Sequence, residues 1–422
     1  MERAEELPNA TPPLVVQKYG GTSVGDIERI TKVAGRIAHE VEKGQKVVVT
    51  VSAMGHSTDL LMGMALEISL RPTLRELDVL LASGEQQSMA LLVLALSELG
   101  ISARSFTGGQ AGFLTNSNHG RAQIIEVSPK YVREALKKYD AVVVAGFQGV
   151  TEKGDITTFG RGGSDTTAVA LAAALGARVC EIYTDTEGVY TTDPHIVPGA
   201  KKLDRIDYQE MLEMAALGAD VLHPVSVWYA RRYGVTVHVR SSFSYNPGTL
   251  VLGNDAEGNV KTDKSVTGVA LDQKHARINV VEVPDQPGVA AELFSALGAA
   301  SIGVDMIIQG VPGADSSRQQ MSFTVREDNV DAAMEAITPV LHRLGGRAEV
   351  DLGIAKLSIV GIAVGSTPGI PAKMFDAVSS VGANIEMIST SEVRVSVVIP
   401  EAFAVQALRV VHDAFELGDE SA

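Results

Sequence analysis

Apolar runs of four to six residues, each ending in small polar or charged positions, alternate through roughly the first 250 residues with stretches of helical periodicity. Leu14 to Lys18 predicts a buried strand, Tyr19-Gly20-Gly21-Thr22-Ser23-Val24-Gly25 a loop, and Asp26 to Lys43 a helix. Lys46 to Ser52 predicts a second strand that empties into Ala53-Met54-Gly55-His56-Ser57-Thr58-Asp59 before another helix. Ser83-Gly84-Glu85-Gln86 is expected to open a helix reaching Leu99, with Ser83 and Gln86 spaced as a capping box. Ala141 to Ala145 reads as a further buried strand, and Phe147 to Thr158 as a hairpin. A strand at Val179 to Tyr183 ends at Thr184-Asp185, and helices near Tyr208 to Ala216 and His223 to Tyr233 precede a strand at Val235 to Arg240. Such alternation predicts an α/β domain with a largely parallel sheet over 14–252, behind a tail at 1–13.

The pattern changes after a polar, charged stretch at 253–265, expected as a linker. Pro287-Gly288 recurs as Pro368-Gly369, Phe294 as Phe375, Asp305-Met306-Ile307 as Glu386-Met387-Ile388, and Ile278 as Ile359, each 81 positions on. Agreement at one offset indicates two copies of one unit. Each copy reads strand, Pro-Gly turn, helix, strand, strand, helix, which predicts two ferredoxin-like βαββαβ modules at 266–347 and 348–418.

Composition narrows what these domains do. A net charge of −15 excludes a nucleic-acid partner, since phosphate backbones need clustered cations, and an anionic ligand must find local ones. The single cysteine, Cys180, excludes an intrachain disulfide and fits a reducing cytoplasm. Residues 1–13 lack the basic and apolar regions of a signal peptide, and the apolar stretches near Met89 to Leu96 and Ala168 to Leu175 are too short for a membrane span.

The candidate chemistry centres on Gly160-Arg161-Gly162-Gly163-Ser164-Asp165-Thr166-Thr167-Ala168. Closely spaced glycines turn backbone N–H groups toward an anion, and the helix start that follows adds partial positive charge. Ser164 or Asp165 taken alone could be a helix cap, with Gly176 the matching C-cap. Arg161 tips the balance: it supplies a bidentate carboxylate or phosphate clamp beside Asp165, able to hold an ammonium group, and a carboxylate clamp with an ammonium clamp suits an amino acid. Lys18 at a strand's carboxyl end, with Gly20 and Gly21 after it, suits a phosphate. The lysine precedes the glycines, so this is not a Walker A loop, and no Gly-x-Gly-x-x-Gly fingerprint is present. Glu85 by itself reads as an acid favoured in a first helical turn.

With these residues assembled, the chain resembles the aspartate kinases (aspartokinases): a three-layer α/β/α amino-acid-kinase domain of the carbamate-kinase-like type followed by two ACT domains. The resemblance rests on Lys18 to Ser23, Ser52 to Gly55, Gly160 to Ala168, and Tyr183-Thr184-Asp185 through Asp193-Pro194. It implies that Ser52, Thr58, Glu85, Arg161, Ser164 and Asp165 bind L-aspartate, with Lys18, Arg161 and Asp165 in the catalytic role. It implies ATP, its Mg2+ carried on the nucleotide and no protein metal site, against Lys18, Tyr19, Gly20, Gly21, Thr184, Asp185, Tyr190 and Asp193. The implied product is 4-phospho-L-aspartate, the first step toward lysine, threonine and methionine.

In the resembling family the paired modules bind a pathway amino acid where they meet between subunits, in a homo-oligomer or an α/β assembly. Threonine is the favoured effector and lysine the alternative, at Asp285, Pro287, Gly288, Asp305 and Gln309 of the first copy and Ser366, Asn384, Ile385 and Glu386 of the second. Three positions depart from the family pattern: Asp220 and Val225 stand where cations are usual, and His195 where many members carry arginine. The departures imply weakened nucleotide binding or turnover, and leave two other readings open: a silenced amino-acid sensor, or a kinase of another acceptor.

Overall fold

The computed structural model describes residues 13–218, 221–253, 265–310 and 318–418, so Asp220 and nearly all of the linker stretch lie outside it. The chain divides into two compact units. The first alternates strand and helix as the sequence pattern predicts. Its elements are β1 (Leu14–Tyr19), α1 (Ile27–Glu42), β2 (Lys46–Val51), α2 (Ser57–Ile68), α3 (Leu74–Glu98), β3 (Ala103–Phe106), β4 (Phe113–Thr115), β5 (Ile124–Val127), α4 (Lys130–Leu136) and β6 (Ala141–Ala145). There follow β7 (Gln148–Val150), β8 (Ile156–Thr158), α5 (Gly163–Leu175), β9 (Val179–Thr184), β10 (Arg205–Asp207), α6 (Tyr208–Ala216), α7 (Pro224–Tyr233), β11 (Thr236–Ser241) and β12 (Thr249–Leu252).

Eight of these strands form one sheet in the order β10-β12-β11-β9-β1-β2-β6-β3, parallel at every junction except β11 to β12. Its central strands are covered on both faces, which is why they read as near-continuous apolar runs. A second sheet, β5-β4-β7-β8, carries the hairpin expected at 147–158. Asp26 caps α1 by accepting from the Arg29 N–H at 2.8 Å, and the buried Ile30, Val33, Ala34 and Ile37 form its apolar stripe.

Helix α3 corrects the sequence reading. It starts at Leu74, so Ser83 lies within it and makes no capping box; its hydroxyl donates to the Leu80 carbonyl instead, at 2.7 Å. Gly84 looks like a break but serves packing, because a Cβ there would stand 2.9 Å from the Cβ of Ala53. Among the described helices α3 alone has the length and apolar composition of a membrane span, yet Asp78, Glu85 and Ser88 are buried on it, as befits a core helix.

The second unit holds β13 (Gly268–Asp272), β14 (His275–Pro284), α8 (Val289–Ala299), β15 (Ile307–Gln309), β16 (Arg318–Arg326), α9 (Val330–Leu344) and β17 (Arg347–Asp351). It continues with β18 (Ile354–Val360), α10 (Ile370–Ser380), β19 (Met387–Thr390), β20 (Arg394–Pro400) and α11 (Ala404–Ala414). The sheets run β15-β16-β14-β17 and β13-β18-β20-β19, so both modules have the ferredoxin-like order. The boundaries differ from 266–347 and 348–418. Strand β13 pairs antiparallel with β18, Leu271 opposite Leu357, and takes the place beside β18 that β17 takes beside β14. The first module is therefore inserted between two pieces of the second. An 81-residue period marks the shared βαββα core but cannot say which side supplies the fourth strand.

The segment Tyr190–Lys201 also belongs to the second unit, inside the stretch read as one domain over 14–252. Val269 N–H donates to the Thr191 carbonyl at 2.7 Å, and the Thr191 hydroxyl bonds the Leu417 carbonyl at 3.1 Å and His412 Nε2 at 3.0 Å. Tyr190 and Asp193 are carried on this segment.

Candidate active site

Register aligns Tyr19 of β1 with Val51 of β2 and Tyr183 of β9, and Val51 with Ala145 of β6. The loops after these four strands therefore leave one edge of the sheet. Strand order reverses between β1 and β9, and in open α/β sheets ligands bind at the carboxyl edge beside such a reversal.

Lys18, next to last in β1, places Nζ 2.5 Å from Asp165 Oδ1 in the first turn of α5, and both side chains are buried. A methyl group on Gly20 would stand 3.5 Å from that Nζ, so the ammonium lies along the glycine backbone. Gly21 accepts from the Gly55 N–H at 3.0 Å, which sets the loops after β1 and β2 against each other. Ser52 N–H donates to the Tyr19 carbonyl at 3.1 Å, and Thr58 is half-buried near the start of α2.

The start of α5 is pressed between two surfaces. Gly162, its N-cap, has φ +68°, and a Cβ there would fall 2.2 Å from that of His223. A Cβ on Gly146 would fall 2.7 Å from Ser164 Oγ. No side chain caps the helix, which leaves its partial positive charge for an anion. Arg161, between two glycines of positive φ, is exposed and makes no ion pair among the described residues.

Glu85 lies within α3, not in its first turn, so the dipole reading falls. It is 3 % exposed; Oε1 accepts from the Ala53 N–H at 3.1 Å, and Oε2 is buried without a partner. Burial pushes its carboxyl up to about 7. An unpaired buried carboxylate oxygen is a costly group that an ammonium would satisfy. Asp165, read from the sequence as an ammonium ligand, already has one: that of Lys18.

Thr184 donates its hydroxyl to Asp185 Oδ1 at 3.1 Å at the exposed end of β9. Asp193 Oδ1 accepts from the His195 N–H at 2.8 Å and lies 3.0 Å from its Nδ1, so that carboxylate is engaged within its own turn. Val225, 44 % exposed, follows Pro224 in the first turn of α7.

Sequence reasoning passed over Phe147 and His223. Phe147 has φ +68°, a strained conformation for a bulky residue that costs on the order of 1–3 kcal/mol, and its N–H donates to Thr167 Oγ1 at 3.1 Å. His223 titrates below its ordinary range because of burial, with nearby Arg161 adding to the effect and Asp165 opposing it. The glycines at 146 and 162 were the available signal, since each marks a close approach.

In the second unit the candidate effector residues fall into two groups. Asp305 of the first module pairs with the buried Lys356 of the second, while Glu386 Oε2 of the second lies 2.7 Å from Arg277 Nη1 of the first. The arrangement is reciprocal, and the acidic groups of Asp305 and Glu386 are neutralised within the chain. Gln309 donates its amide to Gln319. Asp285, Pro287, Gly288, Ser366 and Asn384 are exposed, and Ile385 is half-buried.

Residues 13–241 match the amino acid kinase family, and 278–340 and 357–415 the ACT domain. The chain is 62 % identical over 404 residues to the aspartokinase of Thermus thermophilus, covering 96 % of this chain and 99 % of that one. It is 48 % identical over 409 residues to the aspartokinase of Mycolicibacterium smegmatis, covering 96 % and 97 % respectively. Among solved structures it resembles E. coli aspartokinase III in complex with aspartate and ADP, with a TM-score of 0.80, 26 % identity, and coverage of 95 % of this chain and 99 % of that chain.

Proposed function

The chain belongs to the amino acid kinase family as an aspartokinase, and from that premise we propose that it moves the γ-phosphoryl group of Mg-ATP to the β-carboxylate of L-aspartate, giving 4-phospho-L-aspartate and ADP. The acceptor is already ionised at neutral pH, so the chain needs no general base. Its task is to align two anions and neutralise charge in a loosely bonded transition state.

Lys18 carries that charge, held in place by Asp165, while the Gly21 backbone and the start of α5 receive the transferring phosphate, since the Gly20 N–H already donates to the Tyr183 carbonyl at 3.2 Å. Arg161 clamps the α-carboxylate and Glu85 the ammonium, with Ser52, Thr58 and Ser164 completing the acceptor pocket. The nucleotide lies against the ends of β1 and β9, with Thr184 and Asp185, and carries its own magnesium. The observation that supports this reading most is the buried, unpartnered oxygen of Glu85, a deficit shaped for an ammonium. The product is the first intermediate toward lysine, threonine and methionine, and threonine is the effector we favour.

ADP release measured with L-aspartate, with L-glutamate and with no acceptor tests the proposal. Release that depends on aspartate is expected. Glutamate-dependent release, or acceptor-independent release alone, would overturn it.

A further inference from the structure

The proposed acceptor clamp draws on two separate parts of the first unit: Glu85 on α3, and Arg161 in the loop between β8 and α5. Nothing in the chemistry of phosphoryl transfer explains a second buried carboxylate on α3, Asp78, which is fully buried. Asp78 precedes Glu85 by seven residues, two helical turns, so both lie on one face of the helix.

Its oxygens gather three segments. Thr158, the last residue of β8, donates its hydroxyl to Asp78 Oδ1 at 2.6 Å. The Gly120 N–H reaches both oxygens, at 3.0 and 3.1 Å. His119 Nδ1 lies 2.7 Å from Oδ2, and since a carboxylate only accepts, Nδ1 carries the proton. The Gly120 carbonyl in turn lies 3.3 Å from where a Cβ on Gly160 would be, and Arg121 Cγ 3.9 Å from that point. The 119–121 loop thus backs the Gly160 turn that presents Arg161. Ala122 N–H closes the unit by donating to the Thr158 carbonyl at 2.9 Å.

We infer that Asp78 is a positioning residue for the acceptor: it ties the helix carrying Glu85 to the strand end and loop that set Arg161, and so fixes the span between the ammonium and carboxylate clamps. The inference rests on the acceptor-site reading above. A misplacement of about 1 Å far from the chemistry can cost on the order of 100-fold in rate, and here the error falls on one substrate only. Hydrogen bonds to charged groups are the strong ones, which suits a buried tie between elements.

Thr158→Val in the full chain removes the bond into β8 while keeping side-chain shape, and Thr158→Ser restores the hydroxyl. The expected result is an aspartate KM raised at least fivefold in Thr158→Val with ATP KM within twofold, and both constants within twofold of wild type in Thr158→Ser. A Thr158→Val enzyme with normal aspartate KM, or with both constants raised alike, would overturn the inference and leave Asp78 a stability residue. If Thr158→Val does not fold, His119→Ala, which removes a partner at the edge of the network, carries the same expectation and the same overturning result. Arg161→Ala and Glu85→Gln measured alongside separate the two levels. Unchanged aspartate KM in those two sinks the acceptor-site reading; raised values there with no change in Thr158→Val sink only the role of Asp78.

Discussion

Lys18 Nζ and Asp165 Oδ1 stand 2.5 Å apart with neither side chain more than 11 % exposed, one at the end of the central strand and the other in the first turn of the helix after the glycine-rich loop. The pair fixes the only lysine of β1 by an internal counter-charge, so its position does not depend on a bound nucleotide. Removing one member of a buried pair costs about 3–5 kcal/mol because the other is left uncompensated.

Lys18→Ala should therefore act twice. Its kcat is expected to fall about 100-fold or more, because the charge is most useful while the phosphoryl group is in flight, with a smaller effect on aspartate KM. Its melting temperature should fall as well. A kcat within threefold of wild type removes Lys18 from the transition state.

Glu85 sets activity against stability. Its carboxyl, raised from 4.5 to about 7 by burial, is protonated in the folded protein at pH values where the unfolded chain has already ionised. The fold bears no penalty below the unfolded value; the penalty grows as pH rises from about 4.5 to about 7 and then levels off, near 3 kcal/mol. Glu85→Gln should melt higher than wild type at pH 8 and equally at pH 4, yet bind aspartate at least tenfold worse. In the wild type aspartate KM should climb as pH falls below about 7, and in Glu85→Gln that slope should vanish. A pH-independent wild-type KM across pH 6 to 8 would remove Glu85 as the ammonium ligand.

Arg161→Ala should raise aspartate KM strongly with ATP KM little changed, since a carboxylate clamp contributes already in the ground state. Arg161 is exposed and unpaired among the described residues, so the melting temperature should stay within a degree or two of wild type. Initial-rate kinetics in both substrates decide the matter, and an unchanged aspartate KM takes Arg161 out of the pocket.

Gly162→Ala isolates the loop from its charges. The residue has φ +68°, and an added Cβ would fall 2.2 Å from His223 Cβ, so either the start of α5 or α7 must move. Both substrates should suffer, because Asp165 and Ser164 lie within the displaced turn. Gly176→Ala, also at positive φ but with nothing near its Cβ, should cost only stability. Equal kinetics in the two variants would mean that the contact with His223 does not hold the loop.

The central strands, their carboxyl-edge loops and the 81-residue repeat were legible because each leaves a local mark: an apolar run, a glycine cluster, a recurring Pro-Gly. What was not legible depends on contacts distant in sequence. Ser83-Gly84 looked like a helix start because small residues there could equally mark a close approach, and only the Ala53 methyl group decides which. The Lys18–Asp165 pair was not legible because nothing local places Lys18, well over a hundred residues earlier, against Asp165. Strand β13 could not be assigned from the repeat, since its partner β18 lies beyond an entire inserted module.

Control by an end product is the last expectation, and the ion pairs of the second unit reshape it. Asp305 and Glu386 belong to corresponding places in the two modules, yet each is paired to a cation of the other, Lys356 and Arg277. Their loss should loosen the join between modules before it touches an effector. Asp285, before the Pro287-Gly288 turn, is exposed, as are Ser366 and Asn384 of the second module, so of the expected effector residues we take Asp285 as the carboxylate to test for an effector's ammonium. Inhibition requires the effector to prefer an inactive arrangement, and a preference of about 1–3 kcal/mol is typical of such coupling. Asp285→Ala should keep uninhibited kcat and melting temperature while moving half-inhibition by threonine upward at least tenfold. Asp305→Ala should lower the melting temperature, because Lys356 is 2 % exposed and would lose its ion-pair partner. Steady-state inhibition curves with threonine and with lysine, read beside thermal melts, decide between these roles. Full threonine sensitivity in Asp285→Ala, or none in the wild type with lysine equally silent, would defeat the regulatory reading and leave the kinase assignment standing.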